Sequence, residues 1–293
     1  MSDTPAWTIG RLLTWTTDYL KQQGAASPRL DAEVLLAAAR GCQRIALYTA
    51  YDQIADEATR SAFREYVRRR AAGEPVAYLV GHREFFSLSF QVTRDVLIPR
   101  PETEHLVVEV LDLLKIRPGD ERAARIVDVG TGSGAIAVSV AKHAPACRAI
   151  AVDNSPQALQ VARGNADRHQ VSDRIEFVLS DLLAAVPTTE PFDVVASNPP
   201  YVSEAEWSQL PPDVRDYEPR SALVGGATGS ETIARLIPQA AERLRPGGWL
   251  LLEISPMIEA AVQQLLDRDG RFQAVQTAKD LAGLPRVIRG KRR

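Results

Sequence analysis

The chain has 293 residues, 45% of them hydrophobic and 25% charged, with a formal net charge of -2 and a pI near 6.1. That length is ample for a buried core and sits near the size at which chains divide into two domains. The near-neutral balance argues against a protein whose main task is to track a nucleic-acid backbone.

No run approaches the ~18 apolar residues of a membrane span, and residues 1–11 lack the apolar stretch of a secretion signal. Cys42 and Cys147 sit in alanine-rich surroundings and read as free buried thiols of a reducing, cytoplasmic setting. The histidines His82, His105, His143 and His169 show no ligand spacing, so no metal is expected.

Residues 7–73 carry helical periodicity. Leu12, Leu13, Trp15, Tyr19 and Leu20 define a first helix, with Gly24 as its cap. Helices over 31–40 and 57–72 follow, stopped by Gly41 and by Gly73 with Pro75. The run Arg68-Arg69-Arg70 reads as a solvated helix face. From Glu84 the period changes to two, with Phe86, Leu88, Phe90 and Val92 alternating with polar residues, and a β-hairpin over about 84–98 fits.

Beyond residue 100, strands alternate with helices, the pattern of an open, mostly parallel α/β sheet. Strands are predicted over 125–129, 148–152, 175–179, 193–197 and 249–254, with helices over 102–115, 135–143, 156–169, 231–245 and 256–269. Ser155 before Pro156 is an N-cap signal, and Thr228 with Glu231 has capping-box spacing. Strands near 272–277 and 286–288 are expected as an antiparallel pair at one sheet edge, and Lys291-Arg292-Arg293 as a solvated tail.

Asp128-Val129-Gly130-Thr131-Gly132-Ser133-Gly134 lies at a strand-to-helix turn, where glycines allow positive φ and close approach of the backbone to a ligand. Asp153, ending the next strand, can accept both hydroxyls of a ribose. Gly130, Gly132 and Ala135 also satisfy the loose dinucleotide template, so the residues alone leave NAD and S-adenosyl-L-methionine open. The extra Gly134 and the acid Asp128, which suits a methionine ammonium but would repel a pyrophosphate, favour the methyl donor. Asp181 beside Leu182, at the end of a further strand, reads equally as an adenine site or as a helix N-cap.

The strand over 193–197 runs into Asn198-Pro199-Pro200-Tyr201. Consecutive prolines fix φ and remove two backbone donors, leaving a rigid corner of acceptors. The Asn198 side-chain oxygen and the Pro199 carbonyl can take the two N–H hydrogens of a planar –NH2, and Tyr201 offers an aromatic face. This predicts N-methylation of an amide or amino group.

The D-x-G-x-G-x-G loop, Asp153 and NPPY together resemble N-methyltransferases acting on exocyclic amino or amide nitrogens. Three stretches narrow the likeness: GEPVAYLVG with Glu84-Phe85, IPRPETE from Ile98 to Glu104, and YEPRSAL from Tyr217 to Leu223 with Gly225-Gly226. With these the chain is similar to the PrmC/HemK family, the protein-(glutamine-N5) methyltransferases of class 1 peptide chain release factors. The resemblance implies a Rossmann-like class I methyltransferase domain over 101–293, a helical release-factor-docking domain over 1–80, and a β-hairpin linker over 81–100.

It also implies S-adenosyl-L-methionine, leaving as S-adenosyl-L-homocysteine, held by Asp128, Gly130, Thr131, Gly132, Ser133, Gly134, Asp153, Asp181, Leu182 and Asn198. The substrate would be the glutamine of a Gly-Gly-Gln loop, gripped by Asn198 and Pro199, with Pro200, Tyr201 and Leu97 packing on it. A monomer without stable nucleic-acid or membrane partners is expected, and adenine-N6 or RNA base methylation is the alternative. Ala227-Thr228-Gly229-Ser230 departs from the family's Asp-Gly-Leu after the glycine pair, which leaves the 225–231 loop open. Arg100, Glu102 and Glu104 read either as shapers of a pocket mouth or as helix-dipole partners.

Overall fold

The computed structural model describes residues 6–115, 123–187 and 189–293. Residues 1–5, part of the stretch weighed above for a secretion signal, lie outside the described residues. The chain falls into two compact units, one of residues 1–82 with 212–217 and one of residues 83–211 with 218–293.

The first unit is helical: α1 (Ile9–Gln22), α2 (Pro28–Arg40), α3 (Arg44–Thr49), α4 (Glu57–Ala71) and α5 (Val76–Val80). The side chains of Leu13, Leu20, Leu35, Leu36 and Leu47 are fully buried in its core. Thr8 and Asp56 cap α1 and α4 by accepting from the amides of Arg11 and Thr59. Short α3 and α5 escape sequence reading because neither runs long enough to show a period. The arginine run is not simply a solvated face. Arg70 donates to Asp31 at 2.8 Å and Arg69 grips Glu74 through two bonds, while Arg68 pairs with its helix neighbour Glu65. Cys42 is only half-buried.

The second unit opens with β1 (His82–Phe85) and β2 (Leu88–Gln91). This hairpin is shorter than the alternation suggested. Phe86 and Ser87 have φ of 48° and 59° and form the turn, which breaks the period at Phe86. The strain at Phe86 is offset by its amide donating to Glu104 Oε1 at 2.9 Å and by edge contact with His143. Residues 96–98 form no strand, and the Ile98 amide donates instead to Glu218.

The remaining elements are α6 (Thr103–Lys115), β3 (Arg125–Val129), α7 (Ala135–His143), β4 (Arg148–Asp153), α8 (Pro156–Arg168), β5 (Ile175–Leu179) and β6 (Phe192–Ser197). After them come β7 (Val202–Ser203), α9 (Glu204–Trp207), α10 (Pro212–Arg215, in the first unit), β8 (Val224–Gly226) and α11 (Glu231–Arg243). The chain ends with β9 (Leu244–Glu253), α12 (Glu259–Asp269), β10 (Phe272–Lys279) and β11 (Pro285–Arg292). The seven-stranded sheet has the order β10-β11-β9-β6-β3-β4-β5. Strands β9, β6, β3, β4 and β5 run parallel, and β11 is antiparallel to both β9 and β10. Ile126, Ala151, Val194 and Leu251 enter one core with α6 and α7, whereas Val127, Val152, Val195 and Leu250 enter another with α11 and α12. With both faces covered, the strands read as continuous apolar runs.

Ser155 caps α8 as its sequence suggested. The capping box before α11 is not formed: the N-cap is Ser230, and the Thr228 amide donates to Glu231 from outside the helix. Nor is the C-terminus a free tail, because Lys291 and Arg292 belong to β11, and Arg292 reaches the Ala241 carbonyl.

The 225–231 loop has a definite task. β8 lies beside β7, and a Cβ on Gly225 would meet the Pro200 carbonyl oxygen at 2.3 Å, while one on Gly229 would meet that of Tyr201 at 2.3 Å. Backbone therefore packs directly on the backbone of the NPPY corner. Gly225→Ala is expected to destabilise by about 1–3 kcal/mol through overpacking and to reduce methyl transfer, measured by urea unfolding and turnover on the same preparation.

Candidate active site

Strand order fixes where the site must lie. From β3 the chain steps outward to β4 and β5, then returns to β6 on the other side of β3. At such a reversal the loops leaving the two central strands diverge and open a crevice at their carboxyl ends. The glycine loop leaves β3 and NPPY leaves β6. Val129 is in register with Ser197, whose hydroxyl donates to the Val129 carbonyl at 2.7 Å.

A cavity of about 520 Å³ occupies this crevice. Its walls include Leu97, Gly130, Thr131, Gly132, Ser133, Asp153, Asp181, Leu182, Asn198 and Pro200. Of the remaining candidates, Asp128, Gly134, Pro199 and Tyr201 do not line the cavity but adjoin residues in sequence that do.

Gly130, Gly132 and Gly134 adopt φ of 74°, 54° and 82°, a region closed to most side chains. The Gly130 and Thr131 amides donate to the Val152 carbonyl, and buried Asn165 donates to the Ser133 carbonyl while pairing with the Gln91 backbone. Asn165 was not singled out in the sequence, since nothing local marks an α8 amide as a brace for a distant loop.

Asp128 is fully buried. Its Oδ2 accepts from Thr131 Oγ1 at 2.7 Å and from the Ala137 amide at 3.1 Å, while Oδ1 has no partner. Burial pushes its carboxyl up to about 7, against those hydrogen bonds, with nearby Asp153 adding repulsion. An orphaned buried carboxylate oxygen beneath a glycine loop fits a ligand that brings a cation. Asp153 accepts from the Gly132 and Ser155 amides, and burial raises it as well. Asp181 caps no helix, because residues 181–186 form turns, and its carboxylate pairs with Arg235 of α11 at 2.5 Å. Asp128, Asp153 and Asp181 thus stand at or just beyond the carboxyl ends of the neighbouring strands β3, β4 and β5.

Across the crevice, Asn198 Nδ2 donates to the buried hydroxyl of Thr103 at 3.1 Å. This leaves the amide oxygen free to accept. Burial, with the Glu253 charge adding to it, raises the Tyr201 hydroxyl, which stays protonated. Arg100 pairs with Glu218, so the IPRPETE and YEPRSAL segments are tied together at the cavity wall. Glu104 serves the hairpin turn, as described above. Thr103 went unrecognised in the sequence because IPRPETE draws attention to its charges.

Because Asp128 ionises less readily in the folded chain than in the unfolded one, its contribution works against folding as pH rises from about 4 to 7 and is fully adverse above 7. Asp128→Asn should therefore raise the stability of the ligand-free protein by on the order of 2 kcal/mol at pH 8, the gain of ~4 kcal/mol being cut by an unpartnered amide N–H. At pH 5 the gain should disappear. Thermal unfolding at the two pH values checks this.

Two family models match the chain: the PrmC N-terminal domain over residues 11–81 and the methyltransferase small domain over residues 106–210. A release factor glutamine methyltransferase of Rhodopirellula baltica is 50% identical, covering 98% of this chain and 97% of its own. Its counterpart in Koribacter versatilis is 44% identical, over 94% and 95%. Among solved structures, a 16S rRNA N2 G1207 methyltransferase of T. thermophilus matches with a TM-score of 0.52 at 20% identity, covering 72% of this chain and 50% of that one; it speaks for the fold alone. With identity of this order along nearly its whole length, the chain belongs to the family of release factor glutamine methyltransferases.

Proposed function

We propose that this protein transfers a methyl group from S-adenosyl-L-methionine to the side-chain amide N5 of the glutamine in the Gly-Gly-Gln motif of class 1 peptide chain release factors. Family membership supports the reaction, and one observation in the structure carries the assignment of the site. Asn198, with its Nδ2 committed to Thr103, presents an acceptor oxygen at the end of β6, beside the glycine loop that ends β3.

S-adenosylmethionine, when bound, supplies an electrophilic methyl on a sulfonium centre. Gly130, Thr131, Gly132 and Ser133 would line the methionine end, with Asp128 beneath them, Asp153 at the ribose, and Asp181 with Leu182 at the adenine. The amide nitrogen of glutamine is a weak nucleophile because its lone pair is delocalised into the carbonyl. Asn198 Oδ1 and the Pro199 carbonyl would accept its two hydrogens, polarising the N–H bonds and fixing the direction of attack. Orientation of this kind can lower a barrier by roughly 7–11 kcal/mol in favourable systems. The nitrogen becomes acidic as the new N–C bond forms, so its proton can pass to water without a dedicated strong base. Burial keeps the Tyr201 hydroxyl neutral, leaving Tyr201 to act by packing rather than as a base.

The helical domain would dock the release factor, with Leu97 and Pro200 packing on the inserted glutamine. Adenine or RNA base methylation uses the same corner, but a chain of net charge -2 lacks the basic excess that nucleic-acid substrates favour.

The direct test is labelling of a purified release factor with methyl-labelled cofactor. Changing the Gly-Gly-Gln glutamine to alanine should abolish incorporation; label that persists would remove the assignment. Asn198→Ala should cut turnover by about 100-fold or more, as expected for a lost positioning contact at the reacting atom, while the cofactor dissociation constant measured by calorimetry stays within a few-fold.

A further inference from the structure

The loop that carries Asp181 and Leu182 is irregular, and Leu182 takes a φ of 53° within it. A leucine gains nothing from the left-handed region, so its surroundings must hold it there. On one side the Ser180 amide donates to the Asp153 carbonyl at 2.9 Å, which fastens the loop to the end of β4. On the other side the fastening comes from one face of α11.

Arg235, Gln239 and Arg243 follow one another a turn apart and share that face. Arg235 pairs with the Asp181 carboxylate through Oδ2, which leaves Oδ1 for a ligand donor. Gln239 Oε1 accepts from the Leu183 amide at 3.0 Å, and Arg243 donates to the Leu183 carbonyl at 3.3 Å. These two bonds fix the peptide planes before and after Leu183, whose side chain is fully buried. The plane before Leu183 is also the one that follows Leu182. Were Leu182 to relax to negative φ, that plane would turn and its N–H would swing away from Gln239. Gln239 itself does not line the cavity, whereas Asp181, Leu182 and Arg235 do.

We propose that Gln239 is a positioning residue that clamps the Asp181-Leu182 pair at the adenine of the cofactor and so sets the preference for adenine over a 6-oxo purine, an inference resting on the reading that those two residues hold the adenine ring. With the loop clamped, Asp181 Oδ1 accepts from the exocyclic amino group and Leu182 supplies a fixed apolar face. A 6-oxo purine places an oxygen where that amino group stood and meets the carboxylate acceptor to acceptor. Rejection of it therefore depends on the loop holding still.

The test measures, by calorimetry on the full-length protein, the binding of S-adenosyl-L-homocysteine and of its counterpart S-inosyl-L-homocysteine. The wild type should favour the adenosyl ligand by about 10-fold or more, the size of one mispaired polar contact. Gln239→Ala should weaken adenosyl binding by about 10-fold and bring the preference to about two-fold or less, as the contact is lost. Gln239→Met, which keeps the bulk without the carbonyl acceptor, should do the same. Gln239→Glu retains an acceptor oxygen at the same reach and should restore the wild-type preference. Turnover at saturating cofactor should stay within about two-fold in each variant, so that the loss falls on the cofactor KM and not on kcat. A ratio of two affinities does not depend on the fraction of protein that is folded.

A preference unchanged in Gln239→Ala and Gln239→Met, a preference lost equally in Gln239→Glu, or a fall in kcat at saturating cofactor would overturn the proposal. A wild type that binds both ligands equally well would remove the adenine reading, and this inference with it. Failure of the wild type to label a release factor would remove the substrate assignment alone, since the binding ratios need no release factor.

Discussion

The site depends on one structural constraint, the register of β3 against β6. Val129 stands level with Ser197, and the serine hydroxyl donates to the Val129 carbonyl in a place closed to water. Everything that must meet across the crevice leaves the sheet from those two positions. A slip of one residue would invert the faces of β6, sending Val195 to the wrong core and carrying Asn198 away from the glycine loop. The register is secured from both sides, because each face of β6 is buried and each core accepts only its own set of side chains.

On that frame the protein assembles buried carboxyl groups that work against its own stability. Asp128 and Glu253 both lie in low-dielectric surroundings that push them toward neutrality, and each has one oxygen without a partner. A site optimised for folding would fill these places with apolar or amide side chains. The retention of Asp128 makes sense if it is completed by something the ligand-free fold leaves open, a ligand cation.

Much of this was legible in the sequence. Alternating strand and helix signals gave the parallel sheet, and the motifs at 128–134 and 198–201 fell where loops leave β3 and β6. The failures have physical causes. Phe86 continued an apolar alternation yet occupies a turn, because a tertiary bond to Glu104 and packing on His143 outweigh its local preference. Short α3 and α5 carry no period to read. The arginine run looked solvated because the acids that pair with Arg69 and Arg70 come from outside the helix. Thr103 could not be found from pattern at all, since it sits among louder charges and only the fold brings it to Asn198.

The 225–231 loop shows how motif and packing part company. Its sequence departs from the family pattern after the glycine pair, yet the two demands visible in the structure are met, namely room for the Pro200 carbonyl at Gly225 and for that of Tyr201 at Gly229. Gly229 also takes a positive φ that closes the turn back toward α11. What the loop must conserve is therefore the absence of side chains at two backbone crossings. The identity of the intervening residues matters less, because Ala227 and Thr228 are exposed. A rigid acceptor corner made from prolines needs such backing, since proline removes the donors that would otherwise tie the segment into a sheet, and here close backbone packing takes their place.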